Sequence, residues 1–280
     1  MSKIDVSFRE NLELGRQSST DLTYNPARLL PIERTHNRQT IGITTADLPF
    51  KGQDYWNHYE VSWLNQKGKP QVGIGEISYD CRSPKLIESK SLKLYFNSLN
   101  QTSFDDIATL ERIICQDLEL CLETPVSVRI HTLENSSNFS SIQNFDGVCL
   151  DTLDIACTTY EVEPNFLTTE SLYIEESVYS NLLKSNCLVT HQPDWGSVQI
   201  SYKGRQINHE GLLQYLVSFR NHNEFHEHCI ERIFMDILKR CQPEELTVYG
   251  RYTRRGGIDI NPYRTTKHRA DVNNQRFIRQ

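Results

Sequence analysis

The sequence predicts an α+β protein in which strands and amphipathic helices follow the same order in each half of the chain. Three observations support this fold class. Strand-like segments occur in pairs, two helical segments follow each pair, and a further strand follows each pair of helices. This order is typical of an antiparallel sheet that carries helices on one face.

In the first half, alternating residues predict strands at Tyr59–Trp63, Gly73–Tyr79 and Val126–His131. Between them, a helix begins near Glu88. A second is expected over 104–122, with Ser103 and Asp106 forming a capping box at its N-terminus.

In the second half, strands are expected at Cys187–His191, Gly196–Tyr202, Leu246–Tyr252 and Ile258–Asn261. A helix is expected over 225–240, with Asn223 as a possible cap.

A weak internal repeat relates the two halves. Glu88–Phe104 aligns with Asn208–Phe225, about 120 residues later, and the matched pairs are Leu92 with Leu212, Tyr95 with Tyr215 and Ser98 with Ser218. We therefore predict a duplication, with modules over 1–147 and 148–280. The polar stretch Asn135–Asn144 is the candidate linker.

Charge and composition exclude some classes of protein. The net charge of −6 argues against a general nucleic-acid binder. No stretch reaches the roughly 20 apolar residues of a membrane helix, and Met1–Asp5 lacks the apolar core of a signal peptide. The eight cysteines show no disulfide framework, so we expect free thiols and a cytoplasmic location.

Cys187 and Asp194 form a candidate nucleophile and proton donor. They are seven residues apart across a turn marked by Pro193. A cysteine nucleophile needs a base or a field nearby, because a free thiol is only a few per cent thiolate at neutral pH. Alone, this pair also fits a buried cysteine and a turn aspartate.

His226 and Glu227 lie in the first turn of the helix predicted over 225–240. A carboxylate is favoured there by the helix dipole, and a histidine can move protons. The nearby His222, His228 and Cys229, with Cys187 and His191, also leave zinc open as an alternative.

Two further segments suggest phosphate binding. Glu88, Ser89 and Lys90 open a helix whose N-terminus and lysines suit an anion. Arg254, Arg255, Gly256 and Gly257 follow a strand; since a simple β-turn needs only two residues, we expect this segment to approach phosphate instead. No GxGxxG opens a helix after a strand, so a Rossmann domain is not supported.

Taken together, four segments closely resemble the bimodular NADPH-dependent 7-cyano-7-deazaguanine reductases of the queuosine pathway. The segments are ESKSLKLY (88–95), CLVTHQPDW (187–195), SFRNHNEFHE (218–227) and YTRRGGIDINP (252–262). The resemblance spans nearly the whole chain. It implies two tunnelling-fold modules, each a four-stranded antiparallel sheet with two helices on one face, and a homodimer that binds no nucleic acid directly.

The resemblance also implies residue roles. Cys187 would attack the nitrile carbon to give a covalent thioimide, Asp194 would donate the proton, and NADPH would supply two hydrides. The remaining roles are substrate binding by Ile87, Glu88, Ser89, His226 and Glu227, NADPH binding by Ser89, Lys90, Arg255 and Gly256, and no metal. With Glu88 and Glu227 in different modules, the pocket is expected at a module interface, within one chain or between two.

Two other functions remain open. The histidine cluster suggests a zinc-dependent enzyme like GTP cyclohydrolase I, which shares the tunnelling fold, although this chain lacks that family's Cys–Glu–His–His cluster. The duplication also suits a non-catalytic purine-binding module. Since Tyr59–Trp63 holds no cysteine, we expect one catalytic cysteine per chain.

Overall fold

A computed structural model describes residues 23–44, 47–136, 139, 141–267 and 272–280. Met1–Asp5 lies outside these residues, as do 137, 138 and 140 of the candidate linker.

Within the described residues, the chain forms strands and helices in a mixed α+β arrangement. The strands are β1 (Pro31–Glu33), β2 (Lys51–Leu64), β3 (Pro70–Asp80), β4 (Lys85–Ile87), β5 (Val126–His131), β6 (Val148–Cys149), β7 (Thr169–Asn186), β8 (Pro193–Ile207), β9 (Glu245–Tyr252) and β10 (Ile258–Thr265). The α-helices are α1 (Thr35–Thr40), α2 (Ser89–Leu99), α3 (Ile107–Leu122), α4 (His209–Val217) and α5 (His226–Cys241).

The chain divides into two compact units. The first contains the described residues of 23–36, 56–136 and 255–258. Its β3 pairs with β5 in antiparallel register and is also bonded to β2, while β1 pairs with β4. Helices α2 and α3 bury their apolar sides, which include Leu92, Leu99, Leu110 and Ile114. An antiparallel sheet with two amphipathic helices therefore forms this unit.

The second unit contains the described residues of 37–55, 139–254 and 259–280. Its strands follow the order β10–β9–β8–β7, all antiparallel, and the two-residue β6 runs parallel to β7. Helices α4 and α5 supply the buried side chains Leu212, Leu216, Ile230, Ile233 and Ile237. The second unit therefore also combines an antiparallel sheet with a helix pair.

The aligned tyrosines of the repeat make the same contact in both units. The hydroxyl of Tyr95 on α2 donates to Asp117 Oδ2 on α3 at 2.6 Å. The hydroxyl of Tyr215 on α4 donates to Asp236 Oδ2 on α5 at 2.7 Å. Burial is the largest cause that raises the pKa of each tyrosine, and the neighbouring aspartate adds to it. Each helix pair is thus joined by a hydroxyl that stays protonated.

The aligned serines repeat a second contact. Ser98 Oγ donates to Tyr95 O, and Ser218 Oγ donates to Tyr215 O, both at 2.6 Å. Each hydroxyl also accepts a backbone N–H at 3.1 Å, from Asn25 in the first unit and Glu163 in the second. The weak similarity in sequence therefore corresponds to a shared set of hydrogen bonds.

A buried ionic cluster packs behind α5 in the second unit. Glu231 accepts from Arg38 at 2.7 Å and from Arg264 at 2.9 Å, and Arg264 also contacts Asp54 at 2.8 Å. Burial opposes ionisation of Glu231, but the two guanidinium groups outweigh it and hold the pKa of Glu231 well below its usual range. The cluster fixes α5, which carries His226 and Glu227 at its start.

The predicted helices formed nearly as expected, but both caps differ. Helix α3 begins after Asp106, which is itself the cap and accepts from Thr109 N at 2.7 Å, so the capping box expected from Ser103 to Asp106 is wrong. Helix α5 begins at His226 after Phe225, with no side-chain capping bond, so the expected cap at Asn223 is wrong. Asn223 Oδ1 instead lies 2.8 Å from His191 Nδ1. In the described part of the chain, no helix has the length and apolarity needed to cross a bilayer.

Candidate active site

Cys187 lies at the start of the loop between β7 and β8, not in a strand as expected. Strand β7 ends at Asn186, one residue earlier. The Cys187 N–H donates to Gln192 O at 2.9 Å, so the pairing of the hairpin continues one step past the strand. The Cys187 side chain is buried, with 7% exposed, and its thiol is free. The apolar run after Cys187 suggested a strand, but Cys187 accepts the His191 N–H at 3.0 Å and the chain turns.

The hairpin is tied to the segment that precedes α5. Asn186 N donates to His222 O at 2.8 Å, and Glu224 N donates to Asn186 O at 3.1 Å. His191, at φ +56°, is held by its contact with Asn223. These bonds bring Cys187 to the start of α5, although 35 residues separate it from His222.

Asp194 and His226 form an acid–imidazole pair. Asp194 on β8 pairs directly with Ser185 on β7, so the two side chains share one face of the sheet. Asp194 is 3% exposed. His226 Nε2 lies 3.8 Å from Asp194 Oδ1. This spacing is longer than a hydrogen bond, so the two groups attract each other by charge only when the imidazole is protonated and the carboxyl is ionised.

Buried carboxylates surround the start of α5. Glu227 is 1% exposed and lies in the first turn, where the helix dipole favours its charge. Glu224 is also buried. Burial alone would raise the pKa of Glu224, but the neighbouring His222, His228 and Arg232 outweigh it and lower that pKa. Glu224 is therefore an anion next to the candidate site.

In the first unit, Glu88 caps α2. Its carboxylate accepts from Lys90 N at 3.0 Å and from Ser91 N at 2.6 Å. Burial raises the pKa of Glu88, and these two bonds with Lys93 and Lys90 oppose that shift. The expectation that these N–H groups bind phosphate is wrong, because Glu88 already occupies them. A carboxylate has about four acceptor sites, so Glu88 can still accept from a ligand.

Ile87 and Ser89 flank Glu88 on opposite sides. Ile87 is the last residue of β4 and is 2% exposed, so it is a buried apolar neighbour of Glu88 in the chain. Ser89 is the first residue of α2 and, like Lys90, is half-buried. The hydroxyl and the ammonium group are therefore the polar groups that this helix start can offer to an anion.

Arg255 and Gly256 belong to a tight turn, which corrects the sequence interpretation. Arg255 N donates to Ile258 O at 2.9 Å, and Ile258 N donates back to Arg255 O at 3.4 Å. Gly256 and Gly257 have φ values of +56° and +74°, as a two-residue type I′ turn requires. The two glycines thus make the simple turn that we had excluded.

The glycine turn packs against Lys93 of α2, within the first unit. A methyl group on Gly256 would lie 3.0 Å from both Lys93 Nζ and Cε. Gly257 O accepts from Tyr59 N at 2.8 Å and lies 3.2 Å from His58 Nδ1. Burial is the main reason that the pKa of His58 falls to about 4. The turn therefore places glycine backbone without side chains next to the Lys93 ammonium group, an arrangement that suits a phosphate.

The expected residues thus form two groups. Cys187, Asp194, His226 and Glu227 lie in the second unit, and Ile87, Glu88, Ser89, Lys90, Arg255 and Gly256 lie in the first.

In the first unit, the amide side chains of Asn65 and Gln71 stand at the positions that Cys187 and Asp194 occupy in the second unit. Asn65 N donates to Lys69 O at 3.0 Å, as Cys187 N donates to Gln192 O. Leu64 exchanges bonds with Thr102 and Phe104, as Asn186 does with His222 and Glu224. Asn65 is therefore the counterpart of Cys187, and Gln71, one residue after Pro70, is the counterpart of Asp194. One catalytic cysteine per chain stays a prediction, with Cys187 as the candidate.

Sequence reasoning missed Tyr252 and Gly196, which lie beside the acid–imidazole pair. The Tyr252 and His226 ring centroids are 4.1 Å apart, and Gly196 pairs directly with Tyr252. The spacing Asp194–Gly196 on a strand was the available signal, because residues two apart share a face.

The histidine cluster does not assemble as the zinc alternative needs. His228 Nδ1 lies 2.8 Å from the Asn37 amide and 3.9 Å from Glu224. Among the residues that the structure describes, no group of three His, Cys, Asp or Glu side chains is arranged to hold a metal ion.

The fold and site thus define an α+β protein with a buried thiol at a hairpin and an acid–imidazole pair nearby. The family model described as "Nitrile reductase, 7-cyano-7-deazaguanine-reductase N-term" matches residues 21–130, and the one described as "QueF-like protein" matches 193–271.

Full-length relatives agree with these matches. The "NADPH-dependent 7-cyano-7-deazaguanine reductase" of Legionella pneumophila (strain Corby) is 61% identical and covers 100% of both chains. The protein of that name from Dechloromonas aromatica (strain RCB) is 53% identical over 95% of this chain and 94% of its own. The chain belongs to the NADPH-dependent 7-cyano-7-deazaguanine reductase family.

Proposed function

We propose that the chain reduces the nitrile of 7-cyano-7-deazaguanine to the aminomethyl group with NADPH, in the biosynthesis of queuosine for tRNA modification. The observation that carries this proposal is a buried Cys187 beside a hairpin that also positions Asp194 next to His226. Relatives named for this activity match the chain over its full length. The chain is thus an oxidoreductase.

Cys187 is the nucleophile. Its thiolate attacks the nitrile carbon, an S–C bond forms, and one C–N π bond breaks. The nitrogen gains the electron pair and takes a proton, which gives a covalent thioimide. Asp194 supplies that proton, since it lies across the hairpin and is 3% exposed, so solvent does not compete for it. NADPH would supply a first hydride to the thioimide carbon, while the nitrogen takes a proton. The nitrogen lone pair then re-forms the C=N bond as Cys187 leaves with the S–C bonding pair, and a second hydride and a proton would convert this imine to the amine.

His226, Glu227 and Glu88 bind the deazaguanine. Its edge presents an N–H and an exocyclic amine, both donors that carboxylates accept. Glu227 is buried in the first turn of α5, and Glu88 is buried at the start of α2 with Ile87 and Ser89. The two carboxylates belong to different units, so each is a separate candidate acceptor for this edge of the base.

NADPH fits the group formed by α2 and the glycine turn. Gly256 leaves room that a methyl group would fill next to Lys93, while Ser89 and Lys90 stand one turn earlier on the same helix. Lysines and arginines bind phosphate oxygens through charge-assisted bonds, so Lys90, Lys93 and Arg255 would hold the phosphates. When bound, NADPH supplies the hydrides.

The two units support a proposal of two tunnelling-fold modules over 1–147 and 148–280. Each unit combines antiparallel strands with a helix pair, and the Tyr–Asp and Ser–Tyr bonds recur in both. We further propose a cytoplasmic homodimer that binds no nucleic acid directly. Eight free thiols suit a reducing compartment, and the net charge of −6 disfavours phosphate backbones.

The test is NADPH consumption with 7-cyano-7-deazaguanine, followed at 340 nm, with the product identified by mass spectrometry. We expect two NADPH oxidised for each amine formed. The matched control is the same deazaguanine without the cyano group, which should cause no oxidation. If the nitrile is not consumed, or if chelation of zinc abolishes the activity, the proposal is wrong.

A further inference from the structure

Tyr252 is the last residue of β9 and lies under the acid–imidazole pair. Its side chain is completely buried. The His226 and Tyr252 ring centroids are 4.1 Å apart, with the ring planes at 82°, which is a T-shaped contact. Aromatic pairs at this spacing prefer such an arrangement over a stacked one. The Tyr252 ring is therefore a direct support for the imidazole.

The cap of helix α5 does little to orient the first residue of the helix. His226 is the first residue of the helix, and the capping position is Phe225, which makes no side-chain capping bond. Helix ends without such a bond fray readily. The orientation of His226 therefore depends on what it packs against.

The other side of the Tyr252 ring lies against the strand that carries Asp194. Gly196, two residues after Asp194, pairs directly with Tyr252. A methyl group on Gly196 would lie 3.1 Å from Tyr252 Cδ1 and 3.2 Å from Cε1. The absent side chain at Gly196 lets the ring span from β8 to His226, so one ring contacts both the imidazole and the strand that carries Asp194.

The Tyr252 backbone is fixed on both sides. Gln280 Nε2 donates to Tyr252 O at 2.9 Å, and Thr253 N donates to Trp195 O at 2.9 Å. Gln280 is itself held by Arg251, whose Nε donates to Gln280 Oε1 at 2.9 Å. A ring on a fixed backbone has little freedom to move away from His226.

The first unit shows that the fold does not require this ring. Gly73 is the counterpart of Gly196, since it lies two residues after Gln71. Ile74 pairs with His131, so the next residue, Thr132, stands opposite Gly73. Thr132 thus occupies the place of Tyr252 in the unit that has Asn65 instead of Cys187. The aromatic ring occurs only in the unit with the thiol and the acid.

We propose that Tyr252 is a positioning residue whose ring sets the spacing between His226 and Asp194. The inference rests on the proposed function, because it assigns these two residues to proton transfer and substrate binding. Misplacing such groups by about 1 Å can lower a rate by about a hundredfold.

Three variants test this role. Tyr252→Phe keeps the ring, and Tyr252→Leu removes it. Gly196→Ala keeps the tyrosine but adds a methyl group that displaces its ring. The rate of turnover is divided by the concentration of protein that forms the covalent nitrile adduct at saturating substrate. Unfolded protein forms no adduct and is therefore not counted. We expect Tyr252→Phe to stay within about threefold of wild type, and the other two to lose about tenfold or more. Tyr79→Leu, which removes a buried ring from β3, is the control and should keep wild-type turnover per folded enzyme.

A second readout does not depend on activity. The His226 imidazole proton resonances, assigned with His226→Gln, should be shifted by the neighbouring ring in wild type and Tyr252→Phe. In Tyr252→Leu they should move towards those of free histidine. If Tyr252→Leu does not fold, Gly196→Ala carries both measurements.

Two results would overturn the positioning role: unchanged resonances in Tyr252→Leu, or wild-type turnover in both Tyr252→Leu and Gly196→Ala. A wild-type protein that leaves the nitrile unreduced would instead refute the proposed function, and the resonances would still decide the ring contact. A loss in Tyr252→Phe equal to that in Tyr252→Leu would assign the role to the hydroxyl and contradict the inference.

Discussion

Asn65 occupies in the first half of the chain the place that Cys187 occupies in the second. Each follows the last residue of a long strand, and each donates its backbone N–H across a hairpin, to Lys69 or Gln192. An amide replaces the thiol in one half, while Glu88 and Ser89 have Asn208 and His209 as counterparts in the other. The two halves therefore carry different candidate functional residues at matching positions.

Asp194→Asn should slow formation of the covalent adduct by about 10²–10⁴-fold, because an amide cannot supply the proton to the nitrile nitrogen. Stopped-flow absorbance and intact mass at timed intervals measure this rate. The control is Gln71→Asn, a change at the counterpart position in the first unit, which should leave the rate unchanged. Adduct formation at the wild-type rate in Asp194→Asn would remove Asp194 from the mechanism.

Gly256→Ala should raise the KM for NADPH about threefold to tenfold and leave kcat at saturation nearly unchanged. The added methyl meets Lys93 at 3.0 Å, in a turn with φ +56°. Gly68→Ala is a matched control, because Gly68 has φ +73° but no atom within 4 Å of its new methyl. An equal KM change in both variants would point to backbone strain and not to the cofactor.

Protonation of His58 should lower the free energy of unfolding in mild acid. Burial lowers the pKa of His58 to about 4 from 6.5, so the folded state binds its proton less tightly than the unfolded chain. The contribution, on the order of 3 kcal/mol, is present above pH 6.5 and is lost as the pH falls towards 4. Urea unfolding between pH 4 and 7 should therefore show a flatter profile for His58→Gln. The exposed His36→Gln should match wild type, and a parallel profile for both variants would contradict the assignment.

Much of the fold follows from local patterns. The strand Val126–His131 was predicted with its correct bounds, because buried and exposed residues alternate along it. The ends of the amphipathic helices were predicted within a few residues for the same kind of reason.

The features that the sequence did not predict depend on contacts between residues far apart in the chain. Cys187 looked like a strand residue, yet bonds from Asn186 to His222 and Glu224 and the turn at His191 end the strand before it. Glu88 reads as a ligand-binding carboxylate and also caps its own helix. Contacts such as His226 with Tyr252 join residues that no spacing connects.

Glu231→Gln should lower the free energy of unfolding by about 3–5 kcal/mol, because it leaves Arg38 and Arg264 buried beside a neutral group. The lowered pKa of Glu231 means that its stabilising charge is present above the unfolded value and is lost as the pH falls. Chemical denaturation at neutral pH measures the change. Glu244→Gln, which removes an exposed pair with Lys203 at 3.6 Å, should cost less than about 1 kcal/mol. Equal losses would show that burial of the cluster is unimportant.

Intact mass spectrometry with 7-cyano-7-deazaguanine, in the absence of NADPH, tests the central role of Cys187 most directly. We expect the protein mass to rise by the mass of one nitrile per chain, and the gain to disappear on addition of NADPH. Cys187→Ala should show no gain, whereas Cys229→Ala should behave as wild type, since burial raises the pKa of the Cys229 thiol to about 12 and keeps it protonated. A gain that persists in Cys187→Ala, or no gain in the wild-type protein, would contradict the account.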